Sequence, residues 1–353
     1  MPGTSLSDST TVISAKPVVL PAPGRGEDLQ VRVSAPATGG DLPVVVFSHG
    51  FGWSMNGYAP LADHWAAQGF VVVQPTHLDS RTLGLPPEDP RTPRIWRFRI
   101  EDLTRVLDGL DVLEASVPGL TGRLDRDRVA VAGHSWGAQT SSMLLGARVL
   151  DSDGVPGEDM SDPRVKAGVL LAMAGLGDDL TPFAVEHLPF MRPSFDTMTT
   201  PALIVAGDHD DSALTTRGPD WFTDPYTYSP GKKSLLTLFG AEHSLGGIPG
   251  YEVAETTDES PARVALLHAP HHRLPAQRPL PRGHQLEGGG RRAGGGPGAA
   301  GEAPEQVGEG AGRGEGDGPG DQGAAAFGLG GLGFGGGLAR ETGTPDARKE
   351  PAY

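Results

Sequence analysis

Residues 128–140 read RVAVAGHSWGAQT, and this stretch contains the pentapeptide GHSWG at residues 133–137. It is a G-x-S-x-G pattern with an apolar, strand-like run before it and a helix-like run after it. In that context the sharp turn forces the serine into strained backbone angles and exposes its hydroxyl beside a helix N-terminus. A Cβ atom at either glycine would collide with the neighbouring strand or helix. The sequence therefore predicts Ser135 as a nucleophile; the alternative is a structural turn whose serine takes no part in chemistry.

Strand and helix patterns alternate on both sides of this turn. Two runs, VVVF and FVVVQ, are continuously apolar, as in strands buried on both faces of a parallel sheet. The alternation after residue 43 predicts a doubly wound sheet with right-handed crossovers, and the first two strands are compatible with antiparallel pairing. We therefore predict an α/β fold with a mostly parallel eight-stranded sheet and helices on both faces. The predicted strands are residues 16–20, 29–34, 43–47, 70–74, 128–132, 167–173, 202–206 and 234–239, and the predicted helices are residues 57–68, 95–116 and 139–150.

The composition of the chain changes near residue 268. The part that follows is rich in Gly, Pro, Ala and Arg and has few side chains large enough to bury. It cannot offset a backbone ordering entropy of about 1–2 kcal/mol per residue. We therefore predict a flexible N-terminus (1–15), one folded α/β domain (16–268) and a disordered tail (269–353).

The junction between the domain and the tail is abrupt. Residues 255–270 begin like a helix, with Thr257 or Asp258 as the cap, and the pattern stops at Pro270. A final helix cut short in this way suggests the hypothesis of a reading-frame shift. The rival hypothesis is a genuine linker or interaction tail.

The overall composition excludes several classes of partner. The chain contains no cysteine, so thiolate metal sites and a cysteine nucleophile are absent. A net charge of −15 argues against nucleic acid as a partner, because phosphate binding needs a basic face. No run of about 18 apolar residues is present, so no membrane span is expected. Without a recognisable secretory signal either, the chain is expected to be cytoplasmic. Protein partners are not indicated.

A serine hydroxyl needs a general base, and the base needs an orienting carboxylate. In a fold of this kind both follow later strands, the acid before the histidine. The sequence AGDHDDS after the strand at residues 202–206 offers Asp208, Asp210 and Asp211 as the acid. The G-x-x-D spacing favours Asp210, and the other two stay open. His243 is the candidate base, because it follows the last strand and precedes the change in composition.

Negative charge that develops on an ester carbonyl oxygen needs backbone N–H donors. One is expected from Trp136, the residue after the nucleophile. The other is expected from Phe51 in the loop HGFG, whose glycines let the backbone turn toward the site; a purely structural turn is the alternative. Phe51, Trp53 and Trp136 are also predicted to contact the acyl or aryl group of a substrate, although Trp53 is equally compatible with a packing role. Residues 174–201 are too few for a large lid domain but enough for a loop over the pocket. With these aromatic residues beside the site, the pocket is predicted to be apolar and fairly open.

These motifs together resemble the α/β-hydrolase superfamily. More narrowly, SHGFGWSMNGYAPLADHWAAQGFVVVQPTH, FRIEDLTRVLDGLDVL and VAGHSWGAQTS are similar to dienelactone-hydrolase-like serine esterases, a group related to chlorophyllases and to the plasma type of platelet-activating-factor acetylhydrolase. The resemblance spans residues 16–267. It implies an α/β-hydrolase fold that normally ends in a long helix packed on the sheet. It also implies the roles proposed above for the catalytic side chains and the two oxyanion donors.

The expected activity is hydrolysis of small-molecule carboxylic esters of short to medium acyl chain through an acyl-enzyme, with neither cofactor nor metal. Dienelactone hydrolases proper use a cysteine nucleophile, so that particular activity is not expected from a chain without cysteine. Two alternatives belong to other classes of protein. One is an acyltransferase with the same three side chains, and the other is a non-catalytic binding protein that retains the fold.

Overall fold

The computed structural model describes residues 10–250 and 256–268. The predicted tail at residues 269–353 lies outside the described residues, and so does most of the predicted N-terminal segment. The first strand, β1, spans Val12–Leu20. Residues 12–15 of the predicted flexible N-terminus therefore belong to the sheet. In the described part of the chain, no helix is both long and apolar enough to cross a membrane.

Eight strands form one sheet in the order β1-β2-β4-β3-β5-β7-β9-β10. Strand β2 pairs antiparallel with both β1 and β4, and the remaining neighbours pair parallel. The strands are β1 (Val12–Leu20), β2 (Leu29–Pro36), β3 (Leu42–Ser48), β4 (Val71–Pro75), β5 (Leu124–His134), β7 (Val165–Leu171), β9 (Ala202–Gly207) and β10 (Lys233–Leu238). Two short strands, β6 (Arg148–Val149) and β8 (Pro193–Ser194), pair with each other outside this sheet.

Helices cover both faces of the sheet, as the continuously apolar strands predict. Alternate residues of β3 show the two faces, since Val44 and Val46 belong to one buried cluster while Val45 and Phe47 belong to the other. The first cluster includes side chains of α2, α3 and α4, and the second includes side chains of α1 and α7. The helices are α1 (Ala59–Ala67), α2 (Ile95–Asp108), α3 (Leu110–Ser116), α4 (Trp136–Leu144), α5 (Pro182–His187), α6 (Asp224–Thr227) and α7 (Pro261–His268).

Two of the predicted helices differ from the observed ones. The single helix predicted at residues 95–116 is divided into α2 and α3 at Gly109, a residue with low helix propensity. The helix predicted at residues 139–150 begins earlier, at Trp136, and ends at Leu144. Gly146 then adopts a positive φ of 105°, which turns the chain into strand β6.

The segment before α7 also differs from its prediction. The helix begins at Pro261, and the Arg263 backbone N–H donates to the Ser260 hydroxyl at 3.4 Å. Asp258, a predicted cap, instead accepts the backbone N–H groups of Glu242 at 2.9 Å and Gly246 at 2.8 Å. Its carboxylate therefore holds the loop after β10. The predicted stop at Pro270 lies outside the described residues.

Candidate active site

The turn between β5 and α4 has the strained geometry that its sequence predicts. Ser135 adopts φ 56° and ψ −125°, angles that are unfavourable for a residue with a side chain. A Cβ on Gly133 would overlap the backbone carbonyl of Gly137, and a Cβ on Gly137 would overlap the carbonyl of Ser48 in β3. Both glycines are therefore required by close backbone approach, and the turn presents the Ser135 side chain at the sheet edge.

Three of the predicted site residues meet at this edge. Strands β5, β9 and β10 are all part of the parallel region of the sheet, so the residues that follow them emerge on the same side. The Ser135 hydroxyl lies 2.9 Å from His243 Nε2, and His243 Nδ1 lies 3.0 Å from Asp210 Oδ2 and 3.1 Å from Oδ1. We call Ser135, His243 and Asp210 the edge triad.

Of the three candidate acids, the structure brings Asp210 to the histidine. Asp210 is fully buried, whereas the side chain of His243 is 23% exposed. Asp208 instead accepts the backbone N–H of Gly240 at 2.5 Å, and Asp211 is exposed. Asp208 therefore holds the turn after β10, and Asp210 is the carboxylate that bonds the His243 ring.

The loop after β3, residues 49–53, contains the predicted donor Phe51, and we call it the oxyanion loop after that prediction. Most of its backbone groups are already bonded: the N–H of Gly50 donates to the Tyr58 hydroxyl at 3.2 Å, and that of Gly52 donates to Asp79 at 2.8 Å. Within the described residues, the Phe51 N–H has no hydrogen-bond acceptor. The Trp136 N–H is in the first turn of α4, where no carbonyl of the same helix can accept it. Both predicted donors are thus available to an incoming oxygen atom.

The family model for chlorophyllase matches residues 16–149, which include the oxyanion loop and Ser135. This match spans residues 16–149 only, which is less than half of the chain. A search of the curated proteins finds no match to this sequence.

Two solved structures of an esterase from Pyrobaculum calidifontis are similar to this chain. One is 20% identical, with a TM-score of 0.47, and the alignment covers 67% of this chain and 78% of the esterase. The other is 21% identical, also with a TM-score of 0.47, and covers 69% of this chain and 80% of the esterase.

The charge around His243 raises the basicity of its ring. Burial of the ring lowers the pKa of His243, but the Asp210 carboxylate, with a smaller contribution from Asp258, outweighs burial and raises the pKa above its ordinary value. The Asp210 carboxylate accepts a hydrogen bond from the Nδ1–H group of His243, and Nε2 is then left unprotonated toward the Ser135 hydroxyl. This tautomer is the one that can take a proton from a serine.

Phe51, Phe190 and Trp136, the residue after Ser135, form an aromatic cluster. The rings of Phe51 and Trp136 lie 5.8 Å apart, and Phe190 stacks on Trp136 at 4.9 Å. Phe51 is 42% exposed, so it remains accessible to a ligand. Trp53 is half-buried, packs against the core cluster that contains α1 and lies under the Arg81 guanidinium. Of the three predicted contact residues, Trp53 is therefore the one most engaged in packing.

Phe190 was not identified from the sequence as a site residue. It lies in residues 174–201, which were predicted to cover the pocket, but nothing in the local pattern distinguishes it from Phe183 or Phe195. The structure places it on Trp136, and the Gln139 side chain donates to its carbonyl at 2.7 Å. Its position depends on contacts between segments that are distant in the sequence.

A second Ser–His–Asp arrangement lies beneath the oxyanion loop. The Ser48 hydroxyl is 2.9 Å from His77 Nε2, and His77 Nδ1 is 3.0 Å from Asp102 Oδ2. All three residues are completely buried. Arg25 and Arg105 both bond the Asp102 carboxylate, at 2.9 and 3.3 Å. We call Ser48, His77 and Asp102 the buried triad.

A buried ion pair connects this interior to the oxyanion loop. Arg99 pairs with Asp79 at 2.6 Å, and both side chains are almost completely buried. The Arg99 guanidinium also donates to the carbonyl oxygen of His49 and lies 4.6 Å from the centre of the Trp136 ring. Since Asp79 accepts the Gly52 N–H, the pair fixes the oxyanion loop on both sides of Phe51.

Proposed function

We propose that this chain hydrolyses carboxylic esters through a covalent acyl-enzyme, with Ser135 as the nucleophile, His243 as the general base and Asp210 as the orienting acid. The observation that carries the proposal is the hydrogen-bonded series from the strained Ser135 to His243 and on to the buried Asp210. A nucleophile, a base and an orienting carboxylate in this order form the arrangement that acyl transfer by serine requires.

The first half of the reaction forms the acyl-enzyme. His243 Nε2 takes the proton of the Ser135 hydroxyl as the oxygen attacks the ester carbonyl carbon. The resulting imidazolium gives that proton to the alkoxide leaving group, and the alcohol departs. The Asp210 carboxylate stabilises the imidazolium throughout.

The second half releases the acid. A water molecule takes the place of the alcohol and loses a proton to His243 while it attacks the acyl carbon. The C–O bond to Ser135 breaks, and the serine oxygen recovers the proton from the imidazolium. The free N–H groups of Phe51 and Trp136 support both tetrahedral intermediates, and one such donor contributes about 3–4 kcal/mol to transition-state stabilisation.

The surroundings of Ser135 support esters of short to medium acyl chain. Phe51, Trp136 and Phe190 provide an apolar wall, which favours burial of an alkyl or aryl group at about 25 cal/mol per Å². Residues 174–201 contribute only the short elements α5 and β8 and a single 3-10 turn. A covering segment of this size suits a small ester better than a long lipid chain.

The test uses the full chain and a series of p-nitrophenyl esters of increasing acyl length. Ser135→Ala is expected to lower kcat by roughly 10⁴–10⁶-fold, the range seen when a catalytic serine is removed. A fluorophosphonate probe should label the unmodified chain at Ser135, and the variant should remain unlabelled. Full activity in the variant would exclude the proposed nucleophile.

The same assay separates hydrolysis from acyl transfer. With an added alcohol acceptor, a hydrolase continues to release mainly free acid, whereas an acyltransferase forms mainly the new ester. A chain that is folded but neither labels nor turns over any ester would be a binding protein and would contradict the proposal.

A further inference from the structure

His134, the second residue of the pentapeptide, lies between the nucleophile turn and the loop that carries His243. Its Nε2 is 2.7 Å from the backbone carbonyl oxygen of His243, and its Nδ1 is 2.8 Å from the Tyr58 hydroxyl. Tyr58 is fully buried and His134 is 4% exposed. Both ring nitrogens of His134 are thus bonded to partners other than the Ser135 hydroxyl.

The direction of every hydrogen bond in this series is determined. A carbonyl oxygen only accepts, so His134 Nε2 must carry the ring proton. The neutral ring then accepts at Nδ1, and the Tyr58 hydroxyl must donate to it. The lone pairs of the Tyr58 oxygen remain, and they accept the Gly50 N–H at 3.2 Å. The series therefore runs from Gly50 through Tyr58 and His134 to His243.

The protonation states of both side chains agree with these directions. Burial, with a smaller contribution from the neighbouring His243 ring, lowers the pKa of His134 to about 3, so the ring is neutral near pH 7. Burial raises the pKa of Tyr58, so its hydroxyl keeps the proton that it donates.

We propose that His134 is a positioning residue that holds the His243 backbone against the nucleophile turn, and that Tyr58 joins the same ring to the oxyanion loop. The inference rests on the proposed function, because the three segments it connects are those that carry the nucleophile, the base and the Phe51 N–H. Neutral imidazole suits this place, since one rigid ring presents a donor and an acceptor at separate nitrogen atoms.

The packing around the series leaves little room for other arrangements. The His134 ring lies 5.0 Å from the His243 ring and 5.6 Å from the Tyr58 ring. A Cβ at Gly50 would come within 2.9 Å of the Tyr58 hydroxyl, so a side chain there would press on the bond. The glycine before Phe51 is thus explained by the tyrosine it approaches.

The first measurement is independent of activity. ¹⁵N NMR of the imidazole nitrogen atoms of the full chain should show His134 as the neutral Nε2–H tautomer at every pH from 8 to 5. A neutral Nδ1–H tautomer, or protonation of the ring within that range, would overturn the proposal. This result does not depend on whether the chain hydrolyses esters, so failure of the proposed function is recognised separately, by absent turnover and absent labelling of Ser135.

The second measurement divides the kinetic effect between kcat and KM. His134→Ala should lower kcat by roughly 10–100-fold with little change in KM, because misplacement of a catalytic group by about 1 Å costs that much. His134→Gln retains an N–H that can donate to the His243 carbonyl, so it should recover most of the loss. An unchanged kcat in a folded His134→Ala variant, or equal losses in both variants, would contradict a positioning role.

The third measurement tests the connection through the tyrosine. Tyr58→Phe removes both the donor to His134 and the acceptor for Gly50 but keeps the ring, so kcat should fall less than in His134→Ala. Tyr228→Phe, at an exposed tyrosine, is the matched control and should leave kcat unchanged. Equal kcat values for the two tyrosine variants would overturn the part of the proposal that concerns the oxyanion loop.

Discussion

The edge triad and the buried triad have nearly the same dimensions: the serine oxygen lies 2.9 Å from the histidine in both, and the histidine lies 3.0 Å from the carboxylate in both. They differ in access. The buried triad has no contact with solvent, whereas the edge triad ends in the partly exposed His243 and Ser135. Hydrogen-bond geometry alone therefore does not distinguish a catalytic arrangement from a structural one.

The two arrangements also differ in charge. In the buried triad, two arginines bond Asp102, and burial together with the charges of Arg99, His49 and Arg25 lowers the pKa of His77 well below its ordinary value. In the edge triad, His243 is the ion-pair partner of Asp210, and no arginine or lysine of the described residues pairs with that carboxylate. A carboxylate already neutralised by arginines stabilises an imidazolium less, so His77 is a poor base where His243 is a good one.

The backbone provides a third difference. Ser48 is the last residue of the regular strand β3, while Ser135 occupies a strained turn with a positive φ. Strain of this kind costs on the order of 1–3 kcal/mol and persists where the surrounding structure requires it. Only the edge triad carries that cost, and it is the one proposed to do chemistry.

Among replacements that compare the two triads, loss of the carboxylate in the edge triad should have the largest effect on activity. Asp210→Asn should lower kcat by about 10⁴-fold, because the amide favours the tautomer of His243 that cannot accept the serine proton. The melting temperature should change little. Turnover of p-nitrophenyl esters and thermal unfolding together check this, and a variant with near-normal kcat would remove Asp210 from the proposed mechanism.

The same replacement in the buried triad should act on stability instead. Asp102→Asn leaves the buried Arg25 without its counter-ion, which should cost about 3–5 kcal/mol in the free energy of unfolding. Denaturant unfolding measures that cost, and kcat per folded molecule should fall far less than in Asp210→Asn. Loss of activity without loss of stability would mean that the buried triad takes part in chemistry.

Acid should destabilise the fold through its buried neutral histidines. Burial lowers the pKa of His49 to about 4 and that of His134 to about 3, and it lowers the pKa of His77 as well. Below about pH 6.5, these histidines become protonated in the unfolded chain but stay neutral in the folded protein. Each ring therefore lowers the free energy of unfolding by about 1.4 kcal/mol per pH unit. His243 has a raised pKa, so its protonation stabilises the folded protein. That stabilisation is fully present below about pH 6.5 and does not change as the pH falls further.

Denaturant unfolding between pH 6.5 and 5 measures this slope. His77→Asn should reduce the slope by the contribution of a single ring, whereas the exposed His209→Asn should leave it unchanged. If the free energy of unfolding of the unmodified chain did not change with pH, the buried histidines would be protonated in the folded protein, and the prediction would be wrong.

The smallest effect is expected for the serine of the buried triad. Ser48→Ala removes one buried hydrogen bond to His77 and should cost about 1 kcal/mol of stability. The fluorophosphonate probe should label Ser135 in this variant as in the unmodified chain. A loss of labelling in folded Ser48→Ala would indicate that the interior arrangement controls the reactivity of the edge.

Much of the fold was predictable because its causes are local. The alternation of β3 between two faces and the apolar runs of the central strands follow from side-chain periodicity. The strain at Ser135 and the need for Gly133 and Gly137 follow from the turn itself. The helix limits at Gly109 and Leu144 were missed, because the hydrophobic pattern continues across them.

What only the tertiary structure decided is which distant side chains meet. The sequence favours Asp210 by its spacing but leaves Asp208 and Asp211 open. In the structure, Asp210 is the one that is buried and bonded to His243. The contact of Tyr58 with His134 and that of Phe190 with Trp136 join segments far apart in the chain, as does the buried triad. Periodicity and turn sterics act within a few residues, so they determine strands, helices and the serine turn, whereas the partners of a buried polar group depend on the packing of the whole domain.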